Sequence, residues 1–194
     1  MVKIFPESEF THPTASCGHP ERWHAVDASS AEVEVSALVG ALVTAMRPNL
    51  VVETGSHVGR TSRVVGEALR GAGRGRLVTI EVEPDLAADA ARRCTDLPVD
   101  VVCASSVTFV PNENIDLLWC DTRPDMIVLE IRHFLPWMSA ATLIGVHGTA
   151  RGGATIVDRL VDEGMITQVL HLDTPRGVAL ARPSFAALET FGHA

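Results

Sequence analysis

Two carboxylates close consecutive apolar runs. Glu53 ends Asn49-Leu50-Val51-Val52, and Glu81 ends Leu77-Val78-Thr79-Ile80. Gly55 and Gly59 follow the first acid, and a helical pattern begins at Arg60. In a twisted parallel sheet this spacing puts an acid and a tight turn at the carboxyl end of a strand, where open α/β folds bind their ligands. Gly55 allows a tight turn and close backbone approach, and Gly59 is expected to let the next helix pack near the strand. Glu81 can accept two hydrogen bonds from vicinal hydroxyls, with Glu83 as a nearby competitor and Val82 placed to cover a flat ring. The pair suits a ligand with an amine and a diol better than one carrying phosphates. A phosphate loop needs Gly-Lys-Ser/Thr, and a dinucleotide fingerprint needs glycines where His57 and Arg60 stand. The plainer reading of these residues is an ordinary strand–turn–helix with solvated acids.

Two further residues could carry chemistry. Asp121 ends the run Ile115–Cys120, and His147 ends Thr142–Val146. If these are neighbouring strands, both side chains meet at the mouth of one cleft. His147, with a near-neutral reference pKa, is the best general-base candidate, against the blander reading of a structural histidine bonded to a carbonyl. Arg123 and Arg151 follow the same two strands and could read an anionic group, although surface solvation is the simpler account.

The elements that must position these residues alternate. Strands are expected at 49–53, 76–81, 99–103, 115–120 and 141–147, and helices at 60–71, 84–94, 124–138 and 152–164. The strands are continuous apolar runs, as parallel strands covered on both faces should be. Ser29-Ser30-Ala31-Glu32 has capping-box spacing, so a helix is expected from near Ser29, with Val35, Leu38, Val39, Leu42, Val43 and Met46 on its buried stripe and Pro48 as its stop. Met165–Asp173 and Val178–Ala181 flank the turn Thr174-Pro175-Arg176-Gly177 and read as an antiparallel hairpin. The expected fold is an α/β, Rossmann-like, doubly wound seven-stranded sheet, mostly parallel with a C-terminal antiparallel hairpin strand. Residues 1–28, with Pro6, Pro13, Pro20, Phe5, Phe10, Trp23, His12, His19 and His24, read as an irregular arm. It is either a packing strap or a lid. Residues 29–194 read as a single domain with an N-terminal helix.

Composition narrows the function. The chain has 194 residues, is 46% hydrophobic and carries a net charge of −8. Nucleic-acid binding is disfavoured, because phosphate contacts need clustered cations. Lys3 is the only lysine and there is no tyrosine, which excludes mechanisms built on an internal catalytic lysine. No apolar stretch is long enough to span a bilayer, and the first residues lack a signal-peptide core, so a cytoplasmic location is the default. Cys17, Cys94, Cys103 and Cys120 form no CxxC pair and read as free thiols, Cys103 and Cys120 as buried strand fillers.

The ordered set Glu53-Thr54-Gly55-Ser56-His57-Val58-Gly59-Arg60-Thr61-Ser62, Ile80-Glu81-Val82-Glu83-Pro84 and Ile115–Asp121 resembles the class I S-adenosylmethionine-dependent methyltransferases, most closely the small-molecule O-methyltransferase type. The resemblance covers roughly residues 49–182. It implies that Glu53 and the backbone at Gly55 and Ser56 hold the methionine end of S-adenosylmethionine, with Thr61 and Ser62 assisting beyond Gly59. It implies that Glu81 holds the ribose, that Ser105 and Ser106 lie with Val82 beside the adenine, and that Asp121 faces the methyl group and a small-molecule substrate. Asp121 and His147 are the expected catalytic residues. Some relatives bind a divalent cation through an acidic pair after strand five, where this chain has His147-Gly148. Asp121 and His147 alone make a poor set for magnesium, so no metal is expected. Many such enzymes dimerise, and the helix at 31–46 could serve a homodimer. The rival readings are a cofactor-binding sensor or scaffold without turnover, motivated by the broken acidic pair, and a dinucleotide-dependent oxidoreductase.

Overall fold

The computed structural model describes residues 17, 23–27, 29–151 and 153–191. Seven strands form one sheet in the order β3-β2-β1-β4-β5-β7-β6. They are β1 (Leu50–Thr54), β2 (Arg76–Glu81), β3 (Val99–Cys103), β4 (Leu117–Cys120), β5 (Leu143–His147), β6 (Ile166–Leu172) and β7 (Val178–Pro183). Strands β1 to β5 pair in parallel, and β7 runs antiparallel to both β5 and β6. The expected mostly parallel sheet with a closing hairpin is therefore the one formed.

Burial follows position in the sheet. All residues of β1 and β4 are buried, whereas the edge strands β3 and β6 alternate with exposed positions. That corrects one expectation: Cys103 is exposed because β3 is an edge, while Cys94 and Cys120 are buried, all three as free thiols.

Among the described residues six α-helices cover the sheet: α1 (Val33–Met46), α2 (Arg60–Ala72), α3 (Pro84–Arg93), α4 (Pro124–Phe134), α5 (Gly153–Asp162) and α6 (Phe185–Phe191). Val35, Val39 and Val43 of α1 and Val65 and Leu69 of α2 pack on Val51, Leu117 and Trp119. On the opposite face, Ile127, Ile131 and Phe134 of α4 and Val157 and Leu160 of α5 pack on Leu50, Val52, Leu118 and Ile144. Alternate residues of each central strand thus feed two separate cores, as a covered parallel sheet requires.

Three local expectations are revised. Helix α1 starts at Val33 rather than near Ser29, and Glu32 makes no side-chain cap. Asp27 instead accepts the backbone N–H groups of Ser29 and Ser30, and Glu32 is used elsewhere. Helix α4 ends at Phe134 and tightens into a 3₁₀ turn over Leu135–Trp137, because Pro136 has no N–H to continue the α-helical ladder. Gly59 has a left-handed φ of 75°, and a Cβ there would lie 2.8 Å from Ala90 Cα. Its role is to bring the start of α2 against α3 rather than against a strand.

Candidate active site

The chain leaves β1 for β2 and β3 on one side, then returns to place β4 on the other side of β1. The carboxyl ends of β1 and β4 therefore flank a topological switch point, the position where such sheets open a ligand crevice. Gly55 lies there with a φ of 79°, and a Cβ on it would come within 2.5 Å of the Asp121 carbonyl oxygen. Only a glycine permits that approach.

A cavity of about 690 Å³ opens over these strand ends. Gly55, Glu81, Val82, Ser105, Ser106, Asp121 and His147, all expected site residues, line it. A second, small cavity of about 50 Å³ adjoins it, lined by Glu53, Ser56, Thr61 and Arg60 and sharing Gly55, His57 and Asp121 with the first. Gly59 lines neither.

Glu53 is buried beneath the turn. Its Oε2 accepts hydrogen bonds from Ser62 Oγ and from Thr79 Oγ1, the latter at 2.6 Å. Burial pushes its carboxyl up to about 7; the two hydroxyls oppose this, while Asp121 and Glu81 add to it. Glu81 accepts the His57 N–H through Oε2 and the Val82 and Glu83 N–H groups through Oε1. Its carboxylate so fixes the β1 turn to the β2 turn. Two buried polar atoms at this turn, Ser56 Oγ and His57 Nδ1, have no hydrogen-bond partner among the described residues. Such atoms call for a ligand or water.

Asp121 and His147 do meet, at 2.7 Å between Oδ1 and Nδ1. The other ring nitrogen of His147 meets Glu32 Oε2 at 2.8 Å. Glu32 Oε1 in turn accepts the backbone N–H of Arg176 at 2.9 Å. Glu32 is fully buried and His147 is 4% exposed, whereas Asp121 is 23% exposed at the cavity wall. Burial alone would disfavour the imidazolium, but the charges and hydrogen bonds of Asp121 and Glu32 raise His147 to about 10. For Glu32 the penalty of burial is outweighed by His147, and its carboxyl is held below the ordinary value. Both ring nitrogens of His147 thus face carboxylates, and the raised pKa favours its charged form. Its nitrogens point to carboxylates on opposite sides, so the three residues form a chain rather than a converging ligand set. Among the described residues no group of three or more histidine, cysteine or acidic side chains is arranged to hold a metal ion.

Sequence reasoning missed two carboxylates here. Glu32 and His147 are 115 residues apart, and no spacing rule links them. Glu130 is fully buried in α4 and lines the larger cavity. It accepts hydrogen bonds from Thr54 Oγ1 at 3.0 Å, Ser106 Oγ at 2.6 Å and Thr122 Oγ1 at 2.7 Å. Burial raises its carboxyl above the ordinary range, against the pull of those three hydroxyls. A signal for it existed: Glu130 interrupts the apolar stripe Ile127, Ile131, Phe134, where an acid must find buried partners.

Other candidates fall elsewhere. Trp23 packs on the α1–α2 core, and His24 Nδ1 lies 2.5 Å from Glu34 Oε1 of α1; neither lines the cavity. His12 and His19 lie outside the described residues, as does the side chain of Arg151. Arg123 is exposed at the cavity rim and paired with Asp125 at 2.7 Å.

A family model described as a methyltransferase domain matches residues 52–149. No curated protein matches the chain significantly. Solved structures similar to it include the O-methyltransferase TomG from Streptomyces achromogenes, involved in tomaymycin synthesis and bound to SAM. That likeness has 19% identity and a TM-score of 0.68, over 95% of this chain and 92% of that one. An O-methyltransferase from Bacillus cereus in complex with SAH gives 14% identity and a TM-score of 0.69, over 81% and 84%. The SAH-bound methyltransferase PaMTH1 from Podospora anserina gives 16% and 0.68, over 80% of each chain. At these identities the likenesses establish the Rossmann-like methyltransferase fold.

Proposed function

The chain belongs to the methyltransferase family, and from that premise we propose that it transfers the methyl group of S-adenosylmethionine to an oxygen of a small molecule. The observation that carries the reading is the crevice at the β1/β4 switch point, where Gly55 meets Asp121 and opens onto the larger cavity. The residues present fit the cofactor. The small cavity offers Glu53 and Asp121 for an ammonium group, and Arg60, at the start of α2, for a carboxylate. Its unpartnered Ser56 Oγ supplies a further hydrogen bond. Glu81 and Val82 line the larger cavity at the tip of β2, where the ribose and base would lie, with Ser105 and Ser106 at the tip of β3.

When bound, S-adenosylmethionine supplies an electrophilic sulfonium methyl. The protein's task is alignment, which is a proximity effect. Asp121 Oδ2, which takes no hydrogen bond among the described residues, accepts the hydroxyl of the acceptor and orients its oxygen. His147 holds Asp121 Oδ1 in place at 2.7 Å. Carboxylates are weak bases. The acceptor class favoured is therefore one whose hydroxyl is already acidic, such as a phenol or an enol, with ionisation near the tyrosine value of about 10, rather than an aliphatic alcohol.

The test is a panel of phenols, enols and aliphatic alcohols incubated with protein and S-adenosylmethionine, scored by mass for methylated product, alongside calorimetric titration with S-adenosylhomocysteine with and without magnesium. Expected are S-adenosylhomocysteine binding indifferent to magnesium and turnover confined to acidic hydroxyls. Binding without turnover on any acceptor would favour the sensor reading, for which the double occupation of His147 is the supporting observation. Absence of binding would end both.

A further inference from the structure

The two glycines at the end of β5 differ in what stands opposite them. A Cβ on Gly145 would run into the Trp119 ring, so packing alone requires that glycine. A Cβ on Gly148 meets no described residue within 4 Å. Gly148 lines the larger cavity with Asp121, His147 and Arg176, so the space in front of it belongs to that cavity. Its backbone is pinned. The N–H groups of Gly148 and Thr149 donate to the Gly177 carbonyl at 2.9 and 3.2 Å, and the Ala150 N–H donates to the Arg176 carbonyl at 2.8 Å. The left-handed φ of 79° favours glycine. Asparagine visits the same conformation, so backbone geometry alone does not demand an empty side.

Sheet order assigns the space to a ligand. Strands β2 and β3, whose tips carry Glu81 and Ser105, lie on one side of the β1/β4 crevice, and β5 lies on the other. A nucleoside at the β2 and β3 tips leaves the β5 side to the acceptor. The acceptor oxygen sits at Asp121, which touches His147, the chain neighbour of Gly148. The volume in front of Gly148 is therefore beside the reacting oxygen.

We propose that Gly148 is a specificity-determining residue, whose missing side chain admits acceptors with bulk next to the reacting hydroxyl, such as a ring fused at the adjacent carbon. The inference rests on the acceptor reading above and adds to it the shape of the acceptor. A side chain at this position fills the space and excludes such bulk, while an unsubstituted ring still reaches Asp121. One carbon-sized group in a pocket discriminates by about 10- to 200-fold.

The experiment compares phenol with 1-naphthol, two acidic hydroxyls that differ in bulk beside the oxygen, as acceptors for wild type, Gly148→Ala and Gly148→Asn. Product is scored by mass and expressed as kcat/KM. Circular dichroism and calorimetric titration with S-adenosylhomocysteine check the fold and the cofactor site. Wild type is expected to use 1-naphthol at least as well as phenol. In each variant the 1-naphthol value is expected to fall at least about tenfold further than the phenol value, with S-adenosylhomocysteine affinity retained. Backbone strain at a left-handed position lowers both acceptors alike and cancels in that ratio. Should Gly148→Ala fail to fold, Gly148→Asn carries the test. A ratio unchanged in the folded variants, or a wild type that methylates phenol but not 1-naphthol, overturns this inference and leaves the acceptor reading standing. Methylation of neither compound also overturns it, and methylation of no hydroxyl in the wider panel overturns the acceptor reading as well.

Discussion

Replacing Glu32 by glutamine should expose how the His147 chain is held together. The side chain is fully buried and its two oxygens serve two donors, His147 Nε2 at 2.8 Å and the Arg176 N–H at 2.9 Å. The amide keeps the volume but can accept at one end only, so one of those donors faces an NH₂. Removing one partner of a buried charge pair costs about 3–5 kcal/mol. Asp121 remains on the other ring nitrogen, which places the expected loss near the lower end, about 3 kcal/mol. The pH dependence gives the loss a signature. His147 is raised from 6.5 to about 10. A base raised on folding contributes stability that is fully present below about pH 6.5 and is lost as pH climbs through about 10. Within that window wild-type stability falls by up to about 1.4 kcal/mol per pH unit from this one group. With its folded-state pKa lowered, Glu32→Gln falls over a narrower window. Cys94 and Cys120, whose thiols burial raises, also lower stability above about pH 8.5, but they do so in both proteins, so the difference between them isolates His147. Urea denaturation of both proteins at pH 6, 8 and 10 measures the difference, and the imidazole NMR titration of His147 reads the pKa directly. Parallel stability profiles that never diverge between pH 6 and 10 would refute the charged chain.

Two further outcomes follow from the cavity geometry. Glu53, at about 7 in the free protein, should lose its proton when a ligand ammonium enters beside it. S-adenosylhomocysteine affinity is then expected to rise with pH up to about 7 and level off above, and calorimetry in buffers of differing ionisation enthalpy should detect proton release below pH 7; a buffer-independent enthalpy at pH 6 would contradict it. Gly55→Ala would press a Cβ to 2.5 Å from the Asp121 carbonyl at a φ of 79°, with a cost of at least about 1 kcal/mol. It is expected to lower Tm and to weaken nucleoside binding by about fivefold or more, since 1.4 kcal/mol is a factor of ten. Unchanged binding in the folded variant would dissociate that contact from the site.

What the sequence made legible is what depends on neighbours in the chain. Continuous apolar runs marked β1, β2, β4 and β5, and glycines marked the turns that aim Gly55 at the crevice. Asp121 and His147 could be placed together because both end neighbouring strands. What they do to one another could not, since the proton on His147 depends on Glu32, whose role arises only when the N-terminal end of α1 docks beside β5. The capping-box reading of Ser29-Ser30-Ala31-Glu32 failed for that reason: a buried imidazolium competes better for the carboxylate than a helix end does. Cys103 was misplaced because apolar runs do not reveal which strand forms an edge. Glu130 was within reach, as an acid out of place on an apolar stripe, but its three hydroxyl partners come from three separate loops.

The Glu32 link has a practical consequence for anyone cutting the gene. The span recognised by the family model begins at residue 52 and ends at 149, so it excludes both Glu32 and Arg176. A clone of that segment alone would present His147 with a single counter-ion and an open flank. Its failure to turn over would say nothing about the intact polypeptide. Grafts and chimaeras between relatives need to carry α1 and the β6–β7 turn as a matched set with the end of β5, because those three stretches together settle one proton.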